Sequence, residues 1–567
     1  MKFIRLSFFI TLLFVELSAG SQVINRYTLI NKSVKLYEKA EWDISVSSYF
    51  SNPYIATDIS VDMLLTSPTG KELVLPCFYV KGDSTESLWK ARFAPQETGS
   101  YTYTFRVTAH GKSNKSQKGI FFSQNSDKKG FLHTNNNWTF RFDNGDLFRG
   151  IGEDVAWESR SWENPKWTYD YLLPTLSKNG ANFFRTWMCA WNLPLEWTHI
   201  RDSKRYHDTN EYYNPSGIIR MDQLVGMADS LNLYIMLTLD WHGELVSDAE
   251  WKVSPYNKTN EGSAATPTEF FTSKKAQLRY KDKLRYIIAR WGYSTHIAVW
   301  ELFNEIDNAA FTPKDSVIIP FSAIVQWHNE MSRYLKKTDP YNHMVTTSIS
   351  HRDIPGLDSL AYIDFNQKHI YKHTDRIAST LNTYTQDYNK PYVIGEFGYE
   401  WNWDVDFKTI TKGLDFDYKR GLWYGLFSPT PILPMTWWWE FFDEQKMTPY
   451  FRNIKEISNQ MLIAGKGSFK ILQVQAGNME AYGVKCGKKI FIYLLNNTEH
   501  SLSSDVIVDY KSPALLNIKC FIPNDLQCKN THMQKLIVKN SQSVSIPNIT
   551  LAPNENMILV LSPIKKQ

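Results

Sequence analysis

From about residue 34 to residue 122, apolar and polar residues alternate in short runs, as in Trp42-Asp43-Ile44-Ser45-Val46 and Tyr101-Thr102-Tyr103-Thr104-Phe105. Turn-forming clusters such as Ser67-Pro68-Thr69-Gly70 and Thr98-Gly99-Ser100 separate them. A period of two, broken by Gly and Pro, predicts strands with one buried face, and a succession of them predicts a β-sandwich. The polar stretch 110–118 reads as a surface hairpin loop, and 124–130, rich in Ser, Asn, Asp and Lys, as a linker. Trp138-Thr139-Phe140-Arg141-Phe142 followed by Asp143-Asn144-Gly145 predicts one more hairpin.

The period then changes. Between residues 147 and 465, short β-branched or aromatic runs at 148–152, 181–187, 233–239, 297–302, 344–349, 362–369, 392–396 and 434–439 are separated mostly by segments of helical period. Met221, Leu224, Val225, Ala228 and Leu231 form one apolar stripe; Leu284, Ile287, Ile288 and Trp291 form another before Gly292. Pro340 and Pro391 stop helices ahead of strands. Eight such runs predict a (β/α)8 TIM barrel. A doubly wound sheet would alternate in the same way, but no Gly-rich phosphate loop follows the first run. From residue 468 alternating runs return, among them Lys489-Ile490-Phe491-Ile492-Tyr493-Leu494. The expected organisation is a leader at 1–20, an N-terminal β-sandwich at 21–130, the barrel at 131–465 and a C-terminal β-sandwich at 466–567.

Composition narrows the chemistry. With 43% hydrophobic and 21% charged residues the chain has ample apolar surface for a core and is not a disordered one. Its 20 Trp, 31 Tyr and 32 Phe supply flat rings of the kind that stack on sugar faces, although sandwich and barrel cores consume such rings too. Net charge is +5, with no basic block interleaved with aromatics, so nucleic acid is not an expected partner. Lys2 and Arg5 precede an apolar run at 6–15 and the small residues Ser18-Ala19-Gly20, the pattern of a cleaved secretory signal, which implies a secreted or periplasmic protein. That run is too short to span a bilayer, no longer one follows, and no Cys near the cleavage site offers a lipid anchor. Of the five cysteines, Cys520 and Cys528 are close enough to close a loop, while Cys77, Cys189 and Cys486 read as buried small apolar residues. Paired Cys or His spacings for a metal are missing, so neither metal nor organic cofactor is expected.

Reactive groups of a barrel sit where its strands end. The fourth run ends in Asn304-Glu305 and the seventh in Glu396, a pairing of carboxylates that suits glycoside hydrolysis. Around them stand Arg185 in the second run, Asp240-Trp241-His242 after the third, His369-Ile370-Tyr371 after the sixth and Trp437-Trp438-Trp439 at the eighth. In that order, over 148–442, these motifs resemble the retaining glycoside hydrolases of the clan-A (β/α)8 superfamily, most closely family 5, the cellulase and mannanase family. The resemblance implies Glu305 as general acid/base and Glu396 as nucleophile. It further implies Asn304 on the sugar 2-hydroxyl, Arg185 beneath Glu396, Tyr371 against the nucleophile and His242 and His369 orienting hydroxyls and acid. One of Trp437, Trp438 and Trp439 would floor the subsite at the cleavage point.

Each of these residues has an ordinary competing role. Arg185 suits a buried ion pair, lone histidines suit a satisfied core, and at least one of the three tryptophans must face the helices. Glu153 and Asp154 end the first run and are candidates for binding hydroxyls; Glu301, Asp240, Glu440 and Asp443 are further carboxylates outside the two catalytic slots. The expected function is a secreted retaining β-glycosidase acting on a polysaccharide or its oligosaccharides, with the loops 197–218 and 246–266 shaping its cleft. The alternative is a non-catalytic carbohydrate-binding protein on the same barrel. A serine hydrolase is disfavoured because no Gly-x-Ser-x-Gly elbow occurs.

Overall fold

The structure, a computed structural model, describes residues 22–83, 85–158, 167–201, 203–246, 248–310, 319–402, 404–510, 515–523, 530–537 and 543–564. The expected leader at 1–20 and Cys528 lie outside them. Cys77, Cys189 and Cys486 are buried free thiols.

The first part of the chain forms two facing sheets, antiparallel apart from the parallel pairing of Val34–Lys35 with Gly119–Gln124. One has four strands in the order Val23–Leu29, Ala40–Ser47, Ser87–Phe93, Phe78–Gly82; the other is built around Gly99–Ala109 and Ile59–Thr66. Along Ala40–Ser47 every second residue is buried, which places Trp42, Ile44 and Val46 between the sheets. The 110–118 stretch folds as a hairpin of Gly99–Ala109 with Lys112–Lys115. His110 and Gly111 make its turn at left-handed φ values of 48° and 74°.

This unit is locked to the outside of the barrel. Arg92 pairs with Glu41 at 2.8 Å and with Asp222 of the barrel helix Pro215–Leu231 at 3.0 Å. Tyr341 inserts its ring into the sandwich core and accepts a hydrogen bond from the backbone N–H of Ala94.

Barrel strands Gly152–Asp154, Phe183–Trp187, Tyr234–Thr238, Ile297–Glu301, Met344–Thr346 continued by Ser348–Ile349, Asn366–Tyr371 and Tyr392–Gly398 pair in parallel in sequence order. The eighth position is filled by 431–437 without a regular strand. Its Ile432 bridges Gly150 and its Thr436 bridges Phe397, closing the ring. Two expectations therefore shift. Leu147–Phe148 does not begin the barrel but joins Thr139–Phe142 and Leu132–Asn136 in a hairpin sheet below it, and Trp439 already belongs to a helix, Trp439–Glu444. The hairpin earns its place by packing: Phe140, Phe142 and Phe148 share one buried cluster with Phe183, Tyr234, Met236 and Val393, filling the barrel floor.

Helices follow every strand position but one. Residues 350–365, after the fifth strand, run as turns around Pro355 and Gly356, the latter at φ 91°. Residues from 469 onward form a six-stranded and a three-stranded sheet that share a buried cluster including Ile492, Leu494, Val506 and Ile546. They dock on the barrel through Trp423, whose ring stacks on Tyr493, and through Asn453, which donates to the carbonyl of Pro523.

Candidate active site

Above the apolar floor lies a fully buried polar layer centred on Arg185. Its Nε and Nη2 donate to the two oxygens of Glu301 at 2.6 and 2.9 Å, a bidentate pair of the strong, geometrically selective kind. Its Nη1 reaches Glu396 at 2.7 Å and Asp154 at 3.1 Å, and its Nη2 also reaches the Asn304 carbonyl oxygen at 2.7 Å. Thr238 and Gln367 donate to the same Glu301 carboxylate at 2.7 and 2.8 Å. One guanidinium thus ties the first, second, fourth and seventh strands together just below the mouth.

Glu396 reaches this position through a bulge. Pairing of the sixth and seventh strands passes from Lys368 opposite Ile394 to His369 opposite Glu396, leaving Gly395 as the extra residue. A side chain there has no room: a Cβ on Gly395 would lie 2.1 Å from Oε1 of Gln367. Gly395→Ala is therefore expected to push Gln367 off Glu301, lower stability by about 1–3 kcal/mol and reduce kcat, as read by thermal unfolding alongside initial rates.

Glu305 and Glu396 face each other across His369. The His369 Nδ1 lies 2.9 Å from Glu305 Oε1 and 3.3 Å from Glu396 Oε2. An oxygen of Glu305 and an oxygen of Glu396 come within 4.8 Å of one another. Glu396 also accepts from the Tyr371 hydroxyl at 2.6 Å, and Glu305 from the Asn308 amide at 3.0 Å. Glu305 sits at a left-handed φ of 50°, uncommon for a residue with a side chain, and its N–H donates to Ser348 Oγ.

The charges are unevenly held. Burial acts to raise Glu396, but the neighbouring His369 charge, with Arg185 and the Tyr371 hydroxyl, outweighs it and holds the carboxyl at about 2. Burial likewise acts against the His369 cation, yet Glu396 and Glu305 push it up to about 10. Asp154 is driven upward by burial and by the Glu396 charge in spite of Arg185, and its Oδ2 has no partner. The three groups Glu305, His369 and Glu396 converge closely enough to suit a cation. Hydrogen bonding of His369 Nδ1 to both carboxylates accounts for that convergence without one.

The mouth opens into a cleft of about 810 Å³ lined by Trp157, Trp187, Trp191, Trp241 and Trp437 on one side. Of the residues expected from sequence, Glu305, Glu396, His242, Asn304, His369, Tyr371 and Trp437 line it, and Arg185 supports Glu396 from below without reaching it. Trp438 and Trp439 do not line it. The Trp438 Nε1 donates to the Glu400 carbonyl and its ring packs on Phe407, while Trp439 opens a helix and packs behind Trp157. Glu153 and Asp154 are buried instead of lining the cleft, and Asp240 is taken by Tyr280 and Lys283. Trp157 and Trp191 were invisible as site residues, since they sit in irregular chain after strand ends and belong to no motif.

Residues 148–424 match the cellulase family, glycosyl hydrolase family 5. Over those residues the barrel is similar to that family. Residues 33–108 match a domain of unknown function, DUF5060. The chain is 30% identical over 190 residues to mannan endo-1,4-beta-mannosidase F of Aspergillus fumigatus, covering 31% of this chain and 38% of that protein. It is 21% identical over 210 residues to mannan endo-1,4-beta-mannosidase A of Podospora anserina, covering 33% and 52%. The chain thus spans only 38% and 52% of these relatives' own length. A Bacteroides vulgatus protein described as a candidate glycoside hydrolase superposes with a TM-score of 0.64 at 13% identity, covering 94% of this chain and 100% of that one, so the similarity in fold extends beyond the family 5 barrel.

Proposed function

We propose that this protein is a secreted, retaining β-glycosidase acting on a β-linked polysaccharide. The reading rests on one observation above the rest, the approach of Glu305 and Glu396 oxygens to within 4.8 Å. Carboxyl groups about 5 Å apart suit direct attack by one of them, whereas inverting enzymes separate theirs by roughly 6.5–9.5 Å to seat a water. Glu396, ionised and fixed by Arg185 and Tyr371, attacks the anomeric carbon while Glu305 protonates the departing oxygen. The ester so formed is then cleaved by water that Glu305 deprotonates. Asn304, its carbonyl oxygen held by Arg185, has its NH2 left for the sugar 2-hydroxyl.

The names of the relatives favour β-mannan as a first substrate to try. We read the described residues before 131 and after 465 as sandwich domains buttressing the barrel, since none of them lines the cleft. Secretion rests on the signal pattern at 1–20, and among the described residues no helix is long and apolar enough to cross a membrane. The test is product stereochemistry. Proton NMR during hydrolysis is expected to show the β-anomer first, with the α-anomer growing only by mutarotation; initial release of the α-anomer refutes the mechanism.

A further inference from the structure

Glu305 lies just past the end of its strand, at a left-handed φ of 50°, so strand geometry does not aim its carboxyl. Partners aim it instead. From the sixth strand, His369 Nδ1 holds Oε1 at 2.9 Å. The other oxygen, Oε2, accepts from the Asn308 amide at 3.0 Å. His242 Nδ1, after the third strand, stands off from Oε2 at 3.8 Å, beyond hydrogen-bond reach, and Glu396 faces the pair from the seventh strand.

Asn308 belongs to no motif. It sits in the short helix Ile306–Ala310, three residues after Glu305, and its N–H donates to the Glu305 carbonyl at 3.0 Å. One turn and a half of helix has little stability of its own, and here the adjacent residue supplies it. Asp307, fully buried, accepts the Ser350 N–H and hydroxyl, both at 2.6 Å, and the N–H groups of His351 and Arg352 at 3.3 and 3.2 Å. The helix is thereby bolted to the turn that follows the fifth strand. The Ser350 hydroxyl also lies 3.3 Å from the Asn308 carbonyl oxygen, so the amide stands between that turn and Glu305.

An amide NH2 donates and cannot accept, whereas a carboxyl does either according to its protonation. The Asn308 donor takes one lone pair of Oε2, and a proton carried on that oxygen must use the other, directed away from Asn308. The same donor favours the ionised carboxylate, the form that deprotonates water in the second step. Proton transfer depends on distance and alignment, so a carboxyl free to turn about its last bond works less well in both steps. We propose that Asn308 is the positioning residue of the acid/base, fixing the Glu305 carboxyl for both proton transfers while Asp307 fixes Asn308 through the 350–352 turn. The proposal rests on the glycosidase reading and adds a residue to its machinery.

The test compares leaving groups in the full-length enzyme. The substrates are a β-1,4-linked manno- or gluco-oligosaccharide, whichever is turned over faster, and the 2,4-dinitrophenyl β-glycoside of the same sugar. Asn308→Leu keeps the bulk of the side chain and removes the donor. It is expected to lower kcat/KM on the oligosaccharide by about 10–100-fold, because the sugar leaving group needs a proton. On the dinitrophenyl glycoside kcat/KM changes by about threefold or less, while kcat and KM fall together as the intermediate waits for a poorly aligned base. Asn308→Asp, of the same shape but with a like charge in place of the donor, shows the same split and moves the alkaline limb of kcat/KM to higher pH. Thermal unfolding confirms that both variants are folded. Equal losses on the two substrates, or native kinetics in both variants, overturn the inference and leave the glycosidase reading standing. Oligosaccharide turnover undiminished in Glu305→Ala overturns both.

Discussion

Truncation of Glu396 to alanine is expected to lower turnover of an activated aryl β-glycoside by roughly 10⁴-fold or more, while Glu305→Ala costs about 10²–10⁴-fold. The difference follows from their roles. Without Glu396 no atom stands on the far face of the anomeric carbon, and no covalent intermediate forms. Without Glu305 an activated leaving group still departs unaided, so the intermediate accumulates and hydrolysis stalls at the second step. Azide separates the two cases. In Glu305→Ala it enters on the face where water would, attacks the intermediate and gives a β-glycosyl azide. In Glu396→Ala it fills the space of the lost carboxylate and gives the α-azide by a single displacement. If both variants yield the same azide anomer, the assignment of acid and nucleophile fails. If neither variant loses activity, the barrel is not working through this pair.

How much of this was legible in sequence depended on whether a residue's placement follows from strand period. Glu305, Glu396, His369 and Tyr371 close hydrophobic runs, and a run that ends in a polar residue at a barrel mouth announces itself. The alternation of sandwich strands was equally plain, because Trp42, Ile44 and Val46 face one side by period alone. Period failed where the backbone departs from it. The bulge at Gly395 shifts the seventh strand against the sixth, and only the packing of Gln367 beneath it shows why glycine is required. Trp437, Trp438 and Trp439 could not be ranked because the eighth position is not a regular strand. The turn at 350–352 owes its form to a buried Asp307 some forty residues earlier in the chain, a contact that no local pattern encodes.

Replacing Arg185 by methionine is expected to cost about 3–5 kcal/mol of stability, because it strands the buried Glu301 and takes from Glu396 and Asp154 the guanidinium they share, leaving His369 as their nearby cation. The same change must alter the pH dependence of catalysis. In the native protein Glu396 is held at about 2, below the ordinary carboxylate value near 4.3 expected in the unfolded chain. A depressed carboxyl contributes stability that is present above the unfolded value and lost as pH falls through about 2. Removing Arg185 takes away one of the charges that offset burial, so Glu396 climbs, and the acid limb of kcat/KM moves to higher pH. A residue that only filled space would leave that limb where it was. The double variant Arg185→Met with Glu301→Gln separates the two effects. Neutralising Glu301 removes the largest stranded charge and is expected to recover much of the lost stability in thermal unfolding, yet it supplies no cation to Glu396. The acid limb should therefore remain displaced in the double variant; its return to the native position would show that Arg185 acts on Glu396 through folding alone.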